Sequence, residues 1–374
     1  MKLAIISHTE HYQDNNQKIV GWGSTVREIN ELVSISESIV HIAPLHKEKA
    51  PMSSLRYTSK LISFVPLIPS GGKGIKKITL LIFAPINLFR IHKAIKDVDY
   101  IQFRAPTGLG VFVLPFLKFF NRKKYWVKYA GNWKDTQMPL GNKFQKWWLK
   151  KHTSLQTKIT VNGNWKGERK NVIAFENPCL DENDRLLGEK GITDKELGGK
   201  INFCFVGALN DHKGVDKIIE AFIGISSQEI GTVHFIGDGK NKKVYQLLSE
   251  QIQTKVVFHG FIPKDKIRTI YEHSHFILLP SKSEGFPKVI GEAMNFGCIP
   301  IVSNVSCIDQ YITDGENGFL LNSLSVAELR SKILRGIHLD RNEYKTWILE
   351  NHRKAEIFTY LYYISRIKNV ILDS

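Results

Sequence analysis

This 374-residue sequence is poor in cysteine, lacks a long hydrophobic run and, over its first half, is short of acidic residues. Its four cysteines (Cys179, Cys204, Cys298 and Cys307) form no C-x-x-C pair. That excludes a disulfide scaffold and fits small buried hydrophobes in a reducing compartment. The longest apolar stretches, residues 78–89 and 108–120, are too short to span a bilayer, and the second carries Pro115 and Lys118. The opening run from Met1 to His8 reads as a buried strand, since no small-residue cleavage site follows it. The expectation is a soluble, cytoplasmic chain. Apolar residues are 43% of the whole and aromatics 11%, which supports large cores and excludes wholesale disorder.

The scarcity of acids is local. From Met1 to Glu176 there are 28 Lys+Arg against 11 Asp+Glu, whereas the remainder has 24 against 25, so the net charge of +16 belongs to the first half. There, basic residues interleave with large apolar ones: Lys73, Lys76 and Lys77 ahead of residues 78–83, then Arg90 and Lys93. Two further patches cover residues 116–126 and 143–151. A basic face mixed with Trp, Phe and Leu suits an anionic membrane surface. The alternatives are a solvated basic surface over core helices, or nucleic-acid binding, for which no zinc-finger, RNP or basic-zipper pattern is present.

At roughly 150 residues per domain, the length predicts two domains. Short β-branched runs alternate with helical periods. Strands are expected over 3–7, 39–42, 100–103, 125–129 and 159–161, and again over 202–206, 232–236, 256–258, 276–279 and 299–302. Helices are expected over 24–35, 213–225, 242–253, 264–272 and 288–295. The pattern predicts an α/β protein with two Rossmann-like, doubly wound domains facing a central crevice. The first would cover residues 1–177 and the second 178–350, with residues 351–374 packing back on the first as part of a helix over 347–372. The polar, glycine-containing stretch 181–200 reads as the linker and its flank.

Two segments carry chemistry. In the first, Glu284-Gly285-Phe286-Pro287 leads into a helix bearing Glu292, with seven residues between the glutamates. Pro287 suits a first helical turn, and the amides before it would point out of the helix start towards hydroxyls or phosphate oxygens. Two carboxylates around such amides fit a ligand with hydroxyls at both ends and negative charge between, the layout of a nucleotide-sugar. In the second, a strand ends at Gly207 and Lys213-Gly214 opens a helix. Glycine admits a phosphate to the backbone, and Lys213 would neutralise a departing diphosphate.

Together these segments resemble the retaining glycosyltransferases of family 4 (group 1), which have the GT-B fold and act in bacterial capsule, exopolysaccharide or lipopolysaccharide synthesis. Further similar stretches are residues 175–178, 235–239, 258–261 and 313–319; the likeness is close from Gly207 to Leu320 and loose before Glu176. The resemblance implies that Glu284 contacts hydroxyls of the donor sugar and that the amides of Gly285, Phe286 and Pro287's neighbourhood hold sugar and phosphate. It implies that Glu292 binds the ribose, that Lys213 holds the diphosphate and that Phe261 and Ile262 sit near the base. Gly21-Trp22-Gly23 resembles the family's glycine loop, with Gly23 approaching the diphosphate. Two departures stand out: Ala208 replaces a frequent Arg, for which His212 is a substitute, and Ala130 replaces a frequent His, with Asn132 or Trp133 filling its space. His8 and His11, after the first strand, are acceptor-side candidates.

The implied activity is a retaining, metal-independent transfer from a UDP- or GDP-sugar to a lipid-linked or polysaccharide acceptor. It would need no cofactor and take place at the inner face of the cytoplasmic membrane. The alternatives are a nucleotide-sugar epimerase, a sugar phosphorylase, or a non-catalytic GT-B scaffold docked on a membrane. Asp97-Val98-Asp99 and His273-Ser274-His275 have the look of metal-binding pairs, but both fall at helix-to-strand connections, so neither is expected to bind a metal.

Overall fold

The computed structural model describes residues 1–72, 74–225 and 228–373. Lys73, counted above among the basic residues ahead of residue 78, lies outside the described residues. The chain forms two compact units, Met1–Glu176 with Tyr363–Ser374, and Asn177–Tyr362.

The first unit runs β1 (Lys2–Ile6), β2 (His11–Gln13), β3 (Ile19–Trp22), α1 (Gly23–Glu31), β4 (Ser38–Pro44), β5 (Ser54–Arg56), β6 (Ile62–Leu67), α2 (Ile78–Ala94), β7 (Tyr100–Ala105), α3 (Gly110–Phe119), β8 (Lys124–Tyr129), α4 (Leu140–Lys151), β9 (Ile159–Val161) and β10 (Val172–Ala174). Seven of these strands form a parallel sheet in the order β10-β9-β8-β7-β1-β4-β6. Alternate residues of β1 feed two cores, as the two-residue period of a strand requires. Leu3 and Ile5 pack with Ile29, Leu32, Ile367 and Ile371, whereas Ala4 and Ile6 pack with Ile91, Leu114 and Leu149. Helices α2, α3 and α4 therefore share one face of the sheet. The strands β2, β3 and β5 pair antiparallel in a small separate sheet, so Gly21-Trp22-Gly23 is a strand end and helix start, not an open glycine loop.

The second unit runs α5 (Glu182–Thr193), β11 (Ile201–Val206), α6 (Val215–Phe222), β12 (Ile230–Ile236), α7 (Lys242–Ser249), β13 (Lys255–Gly260), α8 (Lys264–His273), β14 (Phe276–Leu279), α9 (Lys288–Asn295), β15 (Ile299–Ser303), β16 (Phe319–Leu321), α10 (Val326–Ile337) and α11 (Arg341–Lys354). Its parallel sheet has the order β13-β12-β11-β14-β15-β16. Strand order reverses between β11 and β14, and a parallel sheet binds ligands at the carboxyl ends of its strands at that point.

Two expectations are corrected. Residues 181–200 are not simply a linker: they contain α5, started by a capping box in which Asp181 accepts from the Asp184 amide (2.7 Å) and Asp184 from the Asp181 amide (2.9 Å). The tail is not one helix over 347–372. Helix α11 ends at Lys354, a 3-10 turn covers Ala355–Phe358, and α12 (Tyr360–Arg366) carries the chain on. The break lets the Phe358 carbonyl accept from the amides of Cys179 (2.8 Å) and Leu180 (3.2 Å) while its ring enters the second unit. The crossing to the first unit thus begins at Tyr363 and not at residue 351.

Candidate functional site

The two loops expected to carry chemistry emerge side by side at the switch point, from β11 to α6 and from β14 to α9. They are bonded together. Lys282 donates its amide to the His212 carbonyl (2.8 Å). Gly214 is left-handed (φ 74°) and a Cβ there would run into the Pro280 carbonyl, so only glycine fits. Gly237, at the end of β12 with φ 131°, likewise lies hard against the Gly207 carbonyl. The Gly207 amide itself bonds to the Ile236 carbonyl (2.9 Å). These glycines thus serve first to let loops approach one another.

Lys213 Nζ donates to Glu284 Oε1 in an ion pair, with the glutamate side chain 8% exposed. Phe286 anchors the loop beyond it, stacked on Phe358 (4.6 Å) and tilted against Tyr311 (4.8 Å). The amides of Ser283, Glu284, Gly285 and Phe286 have no acceptor among the described residues. Pro287 is the N-cap of α9 and lies one residue ahead of the helix. Four unpartnered amides, a helix start and one ammonium make a seat for an anion.

Glu292 lies on α9, where burial raises its pKa above the ordinary carboxylate value. Tyr271 donates its hydroxyl to Glu292 Oε2 (3.2 Å). A small recess opens beside it, bordered by Leu180, Asp184, Lys264, Ile267 and Arg268. The fully buried Asp184 receives Lys264 and the Arg268 Nε (2.5 Å), and Asp181 also pairs with Lys264 (3.0 Å). This four-residue cluster was missed in the sequence. Its readable signals were the Asp181/Asp184 box and the spacing of Lys264 and Arg268 one turn apart on α8. Phe261 follows β13 with its ring 41% exposed, and Ile262 packs partly into the core beneath. Ala208 and His212 are exposed on the same loop as Lys213.

The remaining candidates lie in the first unit. His8 is exposed after β1, its pKa lowered by surrounding protein and by Arg104. His11 is fully buried and held near a pKa of about 4 by that burial. Its Nδ1–H donates to the Thr9 carbonyl (2.8 Å), and its Nε2 accepts from the Tyr57 hydroxyl (2.7 Å). The Tyr57 oxygen in turn accepts from His41 Nδ1 (2.5 Å), and His41 Nε2 accepts from Ser7 (2.8 Å). These donor assignments are the ones that satisfy every ring nitrogen with both histidines neutral. The Gly23 amide donates to the Ser53 carbonyl (3.0 Å). Asn132 Oδ1 accepts from the Lys134 amide (2.9 Å), and Trp133 is fully buried, edge-on to Tyr129.

Of the metal-like pairs, Asp99 accepts from the Lys2 amide (2.7 Å), and His273 and His275 bond to backbone groups. No group of three or more metal-ligating side chains is present among the described residues.

Two Rossmann-like units with parallel sheets define the GT-B class of fold. Within it, residues 193–354 match the family model of glycosyl transferases group 1. The chain is 25% identical to a 41.2 kDa protein in the cps region of Klebsiella pneumoniae, over 68% of this chain and 73% of that one. A sucrose-phosphate synthase from Thermosynechococcus elongatus superposes with TM-score 0.73 at 15% identity, covering 99% of this chain and 98% of the other. Anabaena HepE in complex with UDP-glucose does so with TM-score 0.71 at 15% identity, with both chains fully covered.

Proposed function

We propose that this protein is a group 1 glycosyltransferase that moves a sugar, with retention, from a UDP- or GDP-sugar to a hydroxyl of a lipid-linked or polysaccharide acceptor. The observation that carries the reading is the pairing of Lys213 with Glu284 beside four unpartnered amides, at the switch point of the unit that matches the family. A diphosphate entering this seat takes over Lys213, which frees Glu284 for hydroxyls of the sugar. Glu292 accepts from the ribose, and Phe261 lies where a base would stack.

In the transfer, the acceptor oxygen bonds to the anomeric carbon on the face the diphosphate leaves, as the bond from that carbon to the phosphate oxygen breaks. The acceptor proton passes to a phosphate oxygen, so a nucleoside diphosphate departs. Lys213 and the amides stabilise charge that grows on the leaving group, and the protein works by electrostatics and positioning. No metal or cofactor is required by this scheme. The similarity to a protein of a cps region supports a role in surface-polysaccharide synthesis, and the proposal sets that role at the inner face of the cytoplasmic membrane.

A thermal-shift screen of nucleotide-sugars identifies the donor, because a ligand of the folded state raises the melting temperature. With that donor, Glu284→Ala and Lys213→Ala should each lower kcat/KM by about 10²–10³. Unchanged transfer in either variant refutes the assignment, and sugar turnover without an acceptor favours an epimerase instead.

A further inference from the structure

The outer face of α2 is apolar where a solvated helix is polar. Ile78, Leu81, Ile82, Ile86 and Phe89 are 46–69% exposed and fall on one side of the helix. The stripe is not a misplaced core. Ala84, Asn87 and Ile91 are buried on the opposite side, and the Asn87 side chain clamps both the amide (2.8 Å) and the carbonyl (3.0 Å) of Ile68.

The apolar surface continues onto α3. His92 meets Phe116 edge-on and Phe116 stacks on Phe120, both at 6.0 Å, and Phe119 and Phe120 are largely exposed. Exposed basic residues flank it: Lys76 and Lys77 at one end, Lys93, Lys96, Lys118 and Arg122 at the other. From Lys49 to Lys134 the only acidic residues are Asp97 and Asp99.

We propose that this α2–α3 face docks in the plane of an anionic bilayer, with the stripe at the acyl boundary and the lysines on lipid phosphates. Charge selects this occupant: a second copy of the same face would bring like charges together, whereas phosphate headgroups complement them. No helix among the described residues is long and apolar enough to cross a membrane. The docking deepens the proposed function by fixing where its acceptor is met, but the face itself contains no residue of the donor site.

The test is sedimentation of the full chain with phosphatidylglycerol/phosphatidylcholine vesicles and with phosphatidylcholine alone. Binding to the anionic vesicles only, weakened by about 0.5 M salt, is expected. Ile82→Glu/Phe89→Glu, at exposed positions, should lower the bound fraction at least about tenfold while melting temperature and nucleotide-sugar shift stay as in the wild type. Lys93→Glu/Lys96→Glu should weaken binding without touching the apolar stripe. Equal binding by both variants, binding to neither vesicle, or a dimer in light scattering that Ile82→Glu/Phe89→Glu dissolves overturns the proposal. Failure of the transferase reading shows separately, as a missing nucleotide-sugar shift with vesicle binding intact.

Discussion

The two units share a parallel, doubly wound sheet and use charge in opposite ways. The first holds the whole basic excess, yet beside its two apolar cores it buries a cluster of paired charges. Glu28, 3% exposed at its side chain, accepts from Arg104 (2.7 Å), Lys128 (2.6 Å) and the Tyr363 hydroxyl (2.7 Å). The second is nearly neutral, but in one loop it keeps four amides without an acceptor among the described residues, beside the Lys213–Glu284 pair. Affinity for a bound diphosphate depends on donors aimed at it, and such donors add little or nothing to net charge. Net charge instead acts at a distance, on surfaces and encounter.

The largest expected effect breaks this contrast, because acid should unsettle both units alike. His11 and the fully buried His41 in the first unit, and His234 and His275 in the second, all have pKa values lowered by burial, three of them to about 4. In the unfolded chain they return to about 6.5, so that state binds protons first as pH falls. The stability they confer is complete above about pH 6.5 and is lost as pH drops towards 4, by up to about 3 kcal/mol each for His11 and His275 and by less for the half-buried His234. In the relay through Tyr57, a proton added to His11 Nε2 meets the Tyr57 hydroxyl hydrogen, and one added to His41 Nε2 displaces the hydrogen that Ser7 donates. Melting curves from pH 7.5 to 4.5 should fall steeply below 6.5, and a flat profile contradicts the burial argument.

Glu28→Gln sharpens the contrast by acting on the first unit alone. It removes a carboxylate that Arg104 and Lys128 share, and taking one partner from a buried ion pair costs about 3–5 kcal/mol. Calorimetry should show a transition lowered by about 10 °C, with nucleotide-sugar binding to the folded protein unchanged. A variant that melts like the wild type removes the network from the account.

What was legible in the sequence was what local pattern alone decides. The strand at 276–279 is a continuous apolar run buried on both faces, and α9 starts where Pro287 stops the loop. The Gly-Lys and Glu-Gly-Phe segments could be paired because parallel-sheet logic brings strand ends together. What depended on distant partners was not legible. Strands β2, β3 and β5 are three or four residues long, and β5 joins them from more than thirty residues away. Helix α5 was hidden by Gly188, which reads as flexibility but serves close packing, since a Cβ there would strike Asn295. The tail breaks at Phe358 because that ring finds Phe286, a contact no local period announces.

The smallest expected effect tests whether the second unit's carboxylates are tuned as well as placed. Tyr271 is a buried residue of α8 whose hydroxyl reaches Glu292, while the nearby charges of Lys264 and Lys288 favour the ionised carboxylate and Asp184 opposes it. Tyr271→Phe keeps the ring stacked on Phe296 and deletes only the hydroxyl. Losing that one hydrogen bond is worth about 1 kcal/mol, or roughly fivefold. Because the bond favours the ionised carboxylate, its loss raises the Glu292 pKa further, and nucleotide affinity should fall more at pH 6 than at pH 8. If Glu292 holds the ribose, the loss should appear with the nucleoside diphosphate and vanish with its 2′,3′-dideoxy analogue. A loss equal for both ligands would mean that the hydroxyl merely supports the fold of α8, and that Glu292 acts without a positioning partner.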